Sequence, residues 1–177
     1  MIRFATEHDL PAMLDIYRPY VEKTTYSFEY EVPTPEVFRD RFRDHVAQFP
    51  WLVWEEAGTV LGYAYAGAPW ERAAYRWCAE VSIYLAPEIH GRGIGRALYA
   101  RLEEILARQG YRMVYAVITE ENEGSIAFHA ACGYRSLPTF RNAGFKHGRW
   151  LGVTWMEKEL AGDALPNSFP RKWMDCV

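Results

Sequence analysis

The chain has 177 residues and a mass of 20.6 kDa, with 50% hydrophobic and 24% charged side chains and a net charge of −3. That size fits one domain with a sizeable core, and the balance excludes a disordered chain, a collagen-like repeat and a coiled coil. Apolar runs such as Val114 to Ile118 fall far short of the roughly 18 residues of a membrane span, and the N-terminus has no apolar signal region. A cytoplasmic protein with no membrane partner is therefore expected. The slightly acidic balance argues against sequence-independent nucleic-acid binding, although five arginines lie between His90 and Arg112. The three cysteines, Cys78, Cys132 and Cys176, form no CxxC pair, which points to reduced thiols and no metal site.

In chain order, Ile2 to Phe4 reads as a strand, and Thr6 caps a helix whose apolar positions Leu10, Met13, Leu14, Ile16 and Tyr17 recur at helical spacing. Thr34, Pro35 and Glu36 open a second helix with Val37, Phe38, Phe42 and Val46 on one face. Trp51 to Glu55 and Thr59 to Gly67, joined at Ala57-Gly58, predict an antiparallel hairpin. After a polar loop from Pro69 to Arg76, Cys78, Glu80, Ser82 and Tyr84 alternate with Ala79, Val81, Ile83 and Leu85 as a strand requires. A glycine-rich turn follows Pro87. The helix after it carries Leu98, Leu102, Ile105 and Leu106 and stops at Gly110. Tyr111 to Thr119 reads as a central strand buried on both faces, Ser125 to Ala131 as a short helix, and Leu151 to Lys158 as a last strand. The tail from Ala161 to Val177 has little periodicity and is expected to be loose or laid across a partner. This order suggests an α+β domain around one mixed sheet.

The strongest local signal is His90-Gly91-Arg92-Gly93-Ile94-Gly95-Arg96, between a strand and a helix. Alternating glycines let a ligand approach the backbone, the first amides of a helix point outward, and the dipole places about half a positive charge there. Such a turn suits a phosphate or pyrophosphate, although its spacing matches neither GxxxxGK[ST] nor GxGxxG. The alternative is a flexible connection with solvated arginines. The second signal is Glu80, an acid in the middle of an apolar and aromatic strand just before the turn. Desolvation there raises a carboxyl toward the range of a general base. The alternative is a strand-face carboxylate paired with Arg72 or Arg76.

The glycine turn resembles the Q/R-x-x-G-x-G/A acetyl-coenzyme A pyrophosphate loop of the GNAT N-acetyltransferase superfamily, with Gly93 and Gly95 matching and His90 replacing the usual Gln or Arg. The stretch from Asn122 through Ser125, Phe128 and His129 to Gly133-Tyr134 is similar to that superfamily's second coenzyme-binding block. Ile16-Tyr17, Thr24-Thr25, Phe28-Glu29, Pro50-Trp51, Trp70, Arg72, Ala74-Tyr75-Arg76 and Gly144 to Trp150 resemble the phosphinothricin N-acetyltransferase branch, which also acts on methionine sulfone and methionine sulfoximine. Arg18 and Gly152 depart from the Asn and Asp common in that branch.

The resemblance implies a GNAT (acyl-CoA N-acyltransferase) fold, a single mixed and mainly antiparallel central sheet flanked by helices, over residues 1–160 with a tail at 161–177. It implies direct attack of an amine on acetyl-CoA, with no acyl-enzyme and no metal, and Glu80 as base. His129 stands where many members have a tyrosine that protonates the departing thiolate; the alternative is a histidine hydrogen-bonded inside a helix packing surface. Coenzyme binding falls to Gly91, Arg92, Gly93, Ile94, Gly95, Arg96, Asn122 and Ser125. The backbone of Ile83, Tyr84 and Leu85 joins them, because a splayed strand there can stabilise an oxyanion. A small amino-acid acceptor needs a cation for its carboxylate, for which Arg72, Arg76, Lys146 and Arg149 are available, with Phe28, Ala74 and Tyr75 beside them. The rival readings are the same fold acetylating a polyamine, an aminoglycoside or a protein N-terminus, and a coenzyme A-binding module without turnover. Aromatic residues at 16%, with Trp150 and Trp155 near the C-terminal strand, and the dimers common in that branch point to a homodimer whose contact lies near the acceptor site.

Overall fold

Alternation along the strands divides the apolar residues between the two faces of one sheet, and each face carries its own core. In the computed structural model, which describes residues 1–161 and 165–177, that sheet has eight strands. β1 (Ile2–Phe4), β2 (Trp51–Glu56), β3 (Thr59–Gly67) and β4 (Cys78–Leu85) are antiparallel neighbours. β4 pairs in parallel with β5 (Met113–Thr119), and β5 pairs antiparallel with β8 (Arg149–Glu159), which also holds β6 (Arg135–Ser136) and β7 (Phe140–Lys146). A mixed, mainly antiparallel sheet flanked by helices is what the resemblance implied.

Helices α1 (Leu10–Lys23) and α2 (Pro35–Val46) cover one face, packing on Trp51, Val53 and Tyr63. Thr34 starts α2 by accepting a hydrogen bond from the Val37 amide at 3.3 Å, with Pro35 in the first turn. Helices α3 (Ile94–Gln109) and α4 (Glu123–Ala131) lie on the other face. There Leu98, Leu102, Ile105 and Leu106 are fully buried against Ala64, Val81, Val114 and Ala116. Truncating any one of these leucines to alanine costs about 2–5 kcal/mol. Gly93 (φ 78°) and Gly110 (φ 101°) bound α3 in the left-handed conformation, which is why glycine stands at both places.

The structure corrects several sequence expectations. β6 and β7 were not foreseen: the first has two residues, and in the second Asn142 has φ 53° and the register shifts between Phe140 and Gly144, which breaks the period-two pattern. Tyr111 precedes β5 because its amide bonds to Leu106 O and finishes α3. β5 is not buried on both faces. Val114, Ala116 and Ile118 are buried, but Val117 is exposed, since α1 and α2 pack over β2 and β3 and leave that face of β5 open. The described part of the tail is not loose but packs on the body of the same chain: Arg171 N donates to Gln109 O at 2.9 Å, and Trp173 packs 4.5 Å from Phe4. Residues 162–164 of that tail lie outside the described residues.

Candidate active site

The site begins where two strands part. β4 and β5 pair at Cys78 with Met113, Ala79 with Val114 and Glu80 with Tyr115, and the pairing stops there. Both strands continue, β4 along β3 as far as Leu85 and β5 along β8 as far as Thr119, so a wedge opens between Val81–Leu85 and Ala116–Thr119. Backbone groups that face the wedge lose their ladder partners and must find others. A cleft of about 70 Å³ occupies it, lined by Ser82, Ile83, Tyr84, Val117, Asn122 and His129 among others.

Glu80 stands at the vertex of this wedge. It is half-buried, and burial alone pushes its carboxyl above the ordinary carboxylate range. The pairing with Arg72 or Arg76 weighed from sequence is absent among the described residues; the Arg76 guanidinium lies instead 4.7 Å over the Phe169 ring. A carboxylate held without a cation, next in the strand to the cleft-lining Val81, is suited to accept a proton.

At the wide end of the wedge the glycine turn leads into α3. Gly91 (φ 76°) and Gly93 (φ 78°) are both left-handed, and the first intrahelical bond is Ala97 N to Gly93 O, at 3.1 Å. The preceding amides of the first turn are free to bind an anion. Gly95 has a different role, because a Cβ there would lie 3.0 Å from the Phe128 ring and 3.4 Å from Ile83. Arg92 pairs with Glu56 at 2.6 Å, and Arg96 reaches Ala131 O at 3.4 Å. Asn122 caps α4, its Oδ1 accepting from the Ser125 amide at 3.1 Å.

His129 is 3% exposed. Its Nδ1 donates to Ser125 O at 2.8 Å, which leaves Nε2 to accept from the Tyr99 hydroxyl at 3.0 Å. Burial holds the imidazole below its ordinary pKa and therefore neutral. Both rings line the cleft. Tyr99 was missed by sequence reasoning, since its place on α3 beside Leu98 reads as one more core position.

The structure separates the acceptor residues proposed from sequence, with Arg72, Ala74 and Tyr75 on the loop before β4 and Phe28, Lys146 and Arg149 near the end of β5 where the wedge is open. Arg72, Ala74 and Tyr75 are exposed on the loop before β4, where Tyr75 packs 4.8 Å from Trp70 and Trp70 stacks 5.4 Å from Trp155. Phe28 stands on the α1–α2 loop, its ring against Gly144, where any Cβ would overlap it. Lys146 is 2% exposed and turns inward, donating to Val21 O and Ser27 O at 2.7 Å each. It holds the Phe28 loop and does not face a ligand. Arg149 pairs with Glu121 at 2.6 Å. His45, also missed, has Nε2 3.0 Å from the place of a Gly67 Cβ, and Gly67 is the cross-strand partner of Glu80. No cluster of three or more His, Cys, Asp or Glu able to hold a metal occurs among the described residues.

Comparison with known proteins places this geometry. Residues 2–155 match the acetyltransferase (GNAT) domain family. The chain is 39% identical to phosphinothricin N-acetyltransferase of Streptomyces viridochromogenes over 166 residues, 93% of this chain and 90% of that one. It is 33% identical to the L-methionine sulfoximine/L-methionine sulfone acetyltransferase of Salmonella typhimurium, over 94% of this chain and 98% of the relative. The crystal structure of a GNAT superfamily phosphinothricin acetyltransferase from Sinorhizobium meliloti in complex with AcCoA superposes with a TM-score of 0.88 at 35% identity, covering 97% of this chain and 98% of that one.

Proposed function

Starting from the GNAT acetyltransferase family, to which this chain belongs, we propose that this acetyl-CoA-dependent N-acetyltransferase acts on the α-amine of a small amino-acid analogue of the phosphinothricin, methionine sulfone or methionine sulfoximine type. The observation that carries the reading is the wedge itself: an anion-binding turn at its wide end and an uncompensated carboxylate at its vertex. The amides of Ile94 to Arg96 hold the pyrophosphate, and the narrow cleft guides the thioester toward Glu80. Gly95 fits this role, since a side chain there would intrude on Phe128 and Ile83 at the cleft wall.

Glu80 takes the proton from the acceptor's ammonium, directly or through one water, and frees the amine for attack. A backbone N–H in the stretch Ile83 to Leu85 that faces away from β3, released from pairing with β5, stabilises the charge that develops on the carbonyl oxygen. Tyr99 lines the cleft, and its hydroxyl turns its proton from neutral His129 Nε2 to the departing thiolate. Holding both reactants across one opening supplies much of the remaining acceleration.

Arg72 and Tyr75 on the loop before β4, and Phe28 on the α1–α2 loop, are assigned to the acceptor. The same proposal includes a cytoplasmic location, and none of the described helices is long and apolar enough to cross a membrane. It also includes a homodimer, supported by the exposed Phe140, Phe145 and Trp150 on the β7–β8 hairpin and by Tyr30, whose hydroxyl donates to Phe145 O. Light scattering should give twice the chain mass. A panel of phosphinates, sulfones, sulfoximines, polyamines, aminoglycosides and peptide N-termini, followed by thiol release, tests the acceptor. Turnover restricted to the last three classes would overturn the assignment.

A further inference from the structure

Residues 165–177 lie beyond the family match and outside the coenzyme cleft, yet they touch the loop that leads into β4. The segment is tied to the end of α3, where Arg171 N donates to Gln109 O at 2.9 Å and Gln109 Nε2 returns a bond to Arg171 O at 2.8 Å. Gln48 Nε2 donates to the same carbonyl at 3.0 Å. Further on, Trp173 Nε1 donates to Val46 O at 2.8 Å while its ring packs 4.5 Å from Phe4. Anchored in this way, the segment holds the loop at two adjacent residues. Ser168 O accepts from Trp77 Nε1 at 3.1 Å, and the Phe169 ring lies 5.1 Å from the Trp77 ring with the Arg76 guanidinium 4.7 Å above it.

The loop needs such support because it spans a hollow. A cavity of about 300 Å³ lies between Trp70 and Tyr75 on the loop and Phe49 and Tyr111 in the body, with Phe169 and Pro170 as a side wall. Apart from this wall, the loop is held by its own short turn, Tyr75 N to Arg72 O at 2.9 Å and Arg76 N to Ala73 O at 3.2 Å, and by Trp70, which stacks on Trp155 and meets Tyr115 and Tyr75. A segment with few packed neighbours has low local stability, and its conformation follows the contacts at its ends.

We propose that Ser168–Trp173 is a positioning strap for the acceptor site. By packing Phe169 between Arg76 and Trp77 it fixes the loop that presents Arg72 and Tyr75, and so sets acceptor affinity without touching the coenzyme. The proposal rests on the reading that this loop meets the acceptor.

Phe169→Ala, Phe169→Tyr and Arg72→Ala in the full chain test it, with methionine sulfone as acceptor. Phe169→Ala should raise the acceptor KM about tenfold, leave the acetyl-CoA Kd within twofold by calorimetry, and increase hydrogen exchange across residues 68–77; Phe169→Tyr should restore all three. An acceptor KM unchanged in Phe169→Ala but raised in Arg72→Ala overturns the strap alone. Unchanged exchange in the loop, or an equal loss of acetyl-CoA affinity, also overturns it. If Arg72→Ala and Phe169→Ala both leave KM unchanged while loop exchange rises, the placement of the acceptor on this loop falls and the strap's effect on KM falls with it.

Discussion

Replacing Glu80 by glutamine separates its chemistry from its structural role, because the two respond in opposite directions. The side chain keeps its shape, stays at the vertex of the wedge and loses only the ability to accept a proton. Removing a general base lowers turnover by roughly 10²–10⁴, equivalent to about 2.7–5.4 kcal/mol in the barrier. Coenzyme affinity should stay within about twofold, since the anion site proposed above uses the first turn of α3 and does not include this strand position. Stability should not fall. Burial raises the Glu80 carboxyl in the folded state, so the stability this group contributes is complete below its unfolded value and is lost as pH rises through the folded one. At neutral pH the ionised carboxylate is a buried charge without a cation, and Glu80→Gln removes it. The variant should therefore melt at or above the wild-type temperature at pH 7–8, with the difference vanishing toward about pH 4. Wild-type kcat/KM should fall on acidification through the raised Glu80 pKa, and the variant should lack that limb. Steady-state kinetics from pH 5 to 9, calorimetric coenzyme titration and thermal melts check all of this. Activity within threefold of wild type, or an acidic limb that survives the substitution, would refute the assignment.

Gly93→Val forces a β-branched residue to φ 78° at the entrance of α3, and the acetyl-CoA Kd measured by calorimetry should rise at least tenfold, about 1.4 kcal/mol, while Val at the solvent-facing Gly148 changes it little. His129 is held neutral by burial, so the unfolded chain takes up its proton first and this contribution to stability is lost as pH falls from about 7 toward 5; His129→Gln should flatten the melting temperature over that interval, and an unchanged slope would show that another group titrates. Gly144→Ala places a methyl group where the Phe28 ring lies, so the acceptor KM should rise severalfold with kcat for saturating acceptor nearly intact, as read from initial rates.

Features whose cause lies within a few consecutive residues were legible in the sequence. The turn from His90 to Arg96 needs left-handed glycines and a helix start, both local requirements, and it formed where the pattern placed it. Period-two alternation put Glu80 on the strand face opposite Val81, and Thr34-Pro35-Glu36 opened α2. The wedge was different: β4 and β5 are both sound strands throughout, and only the register of each against its other neighbour determines that they part after Glu80 and Tyr115. The same holds for side chains with long reach. Lys146 reads as a surface cation until the loop from Val21 to Ser27 is folded over its ammonium, and Tyr99 reads as core until α4 brings His129 to its hydroxyl. The tail has no periodicity that announces a site, because Ser168, Phe169 and Trp173 find partners some 91 to 169 residues away in sequence or simply across the fold, at Trp77, Val46 and Phe4. Backbone conformation answers to neighbours in the chain, whereas the pairing that opens the cleft and the directions of long polar side chains answer to contacts that exist only after the chain has closed on itself.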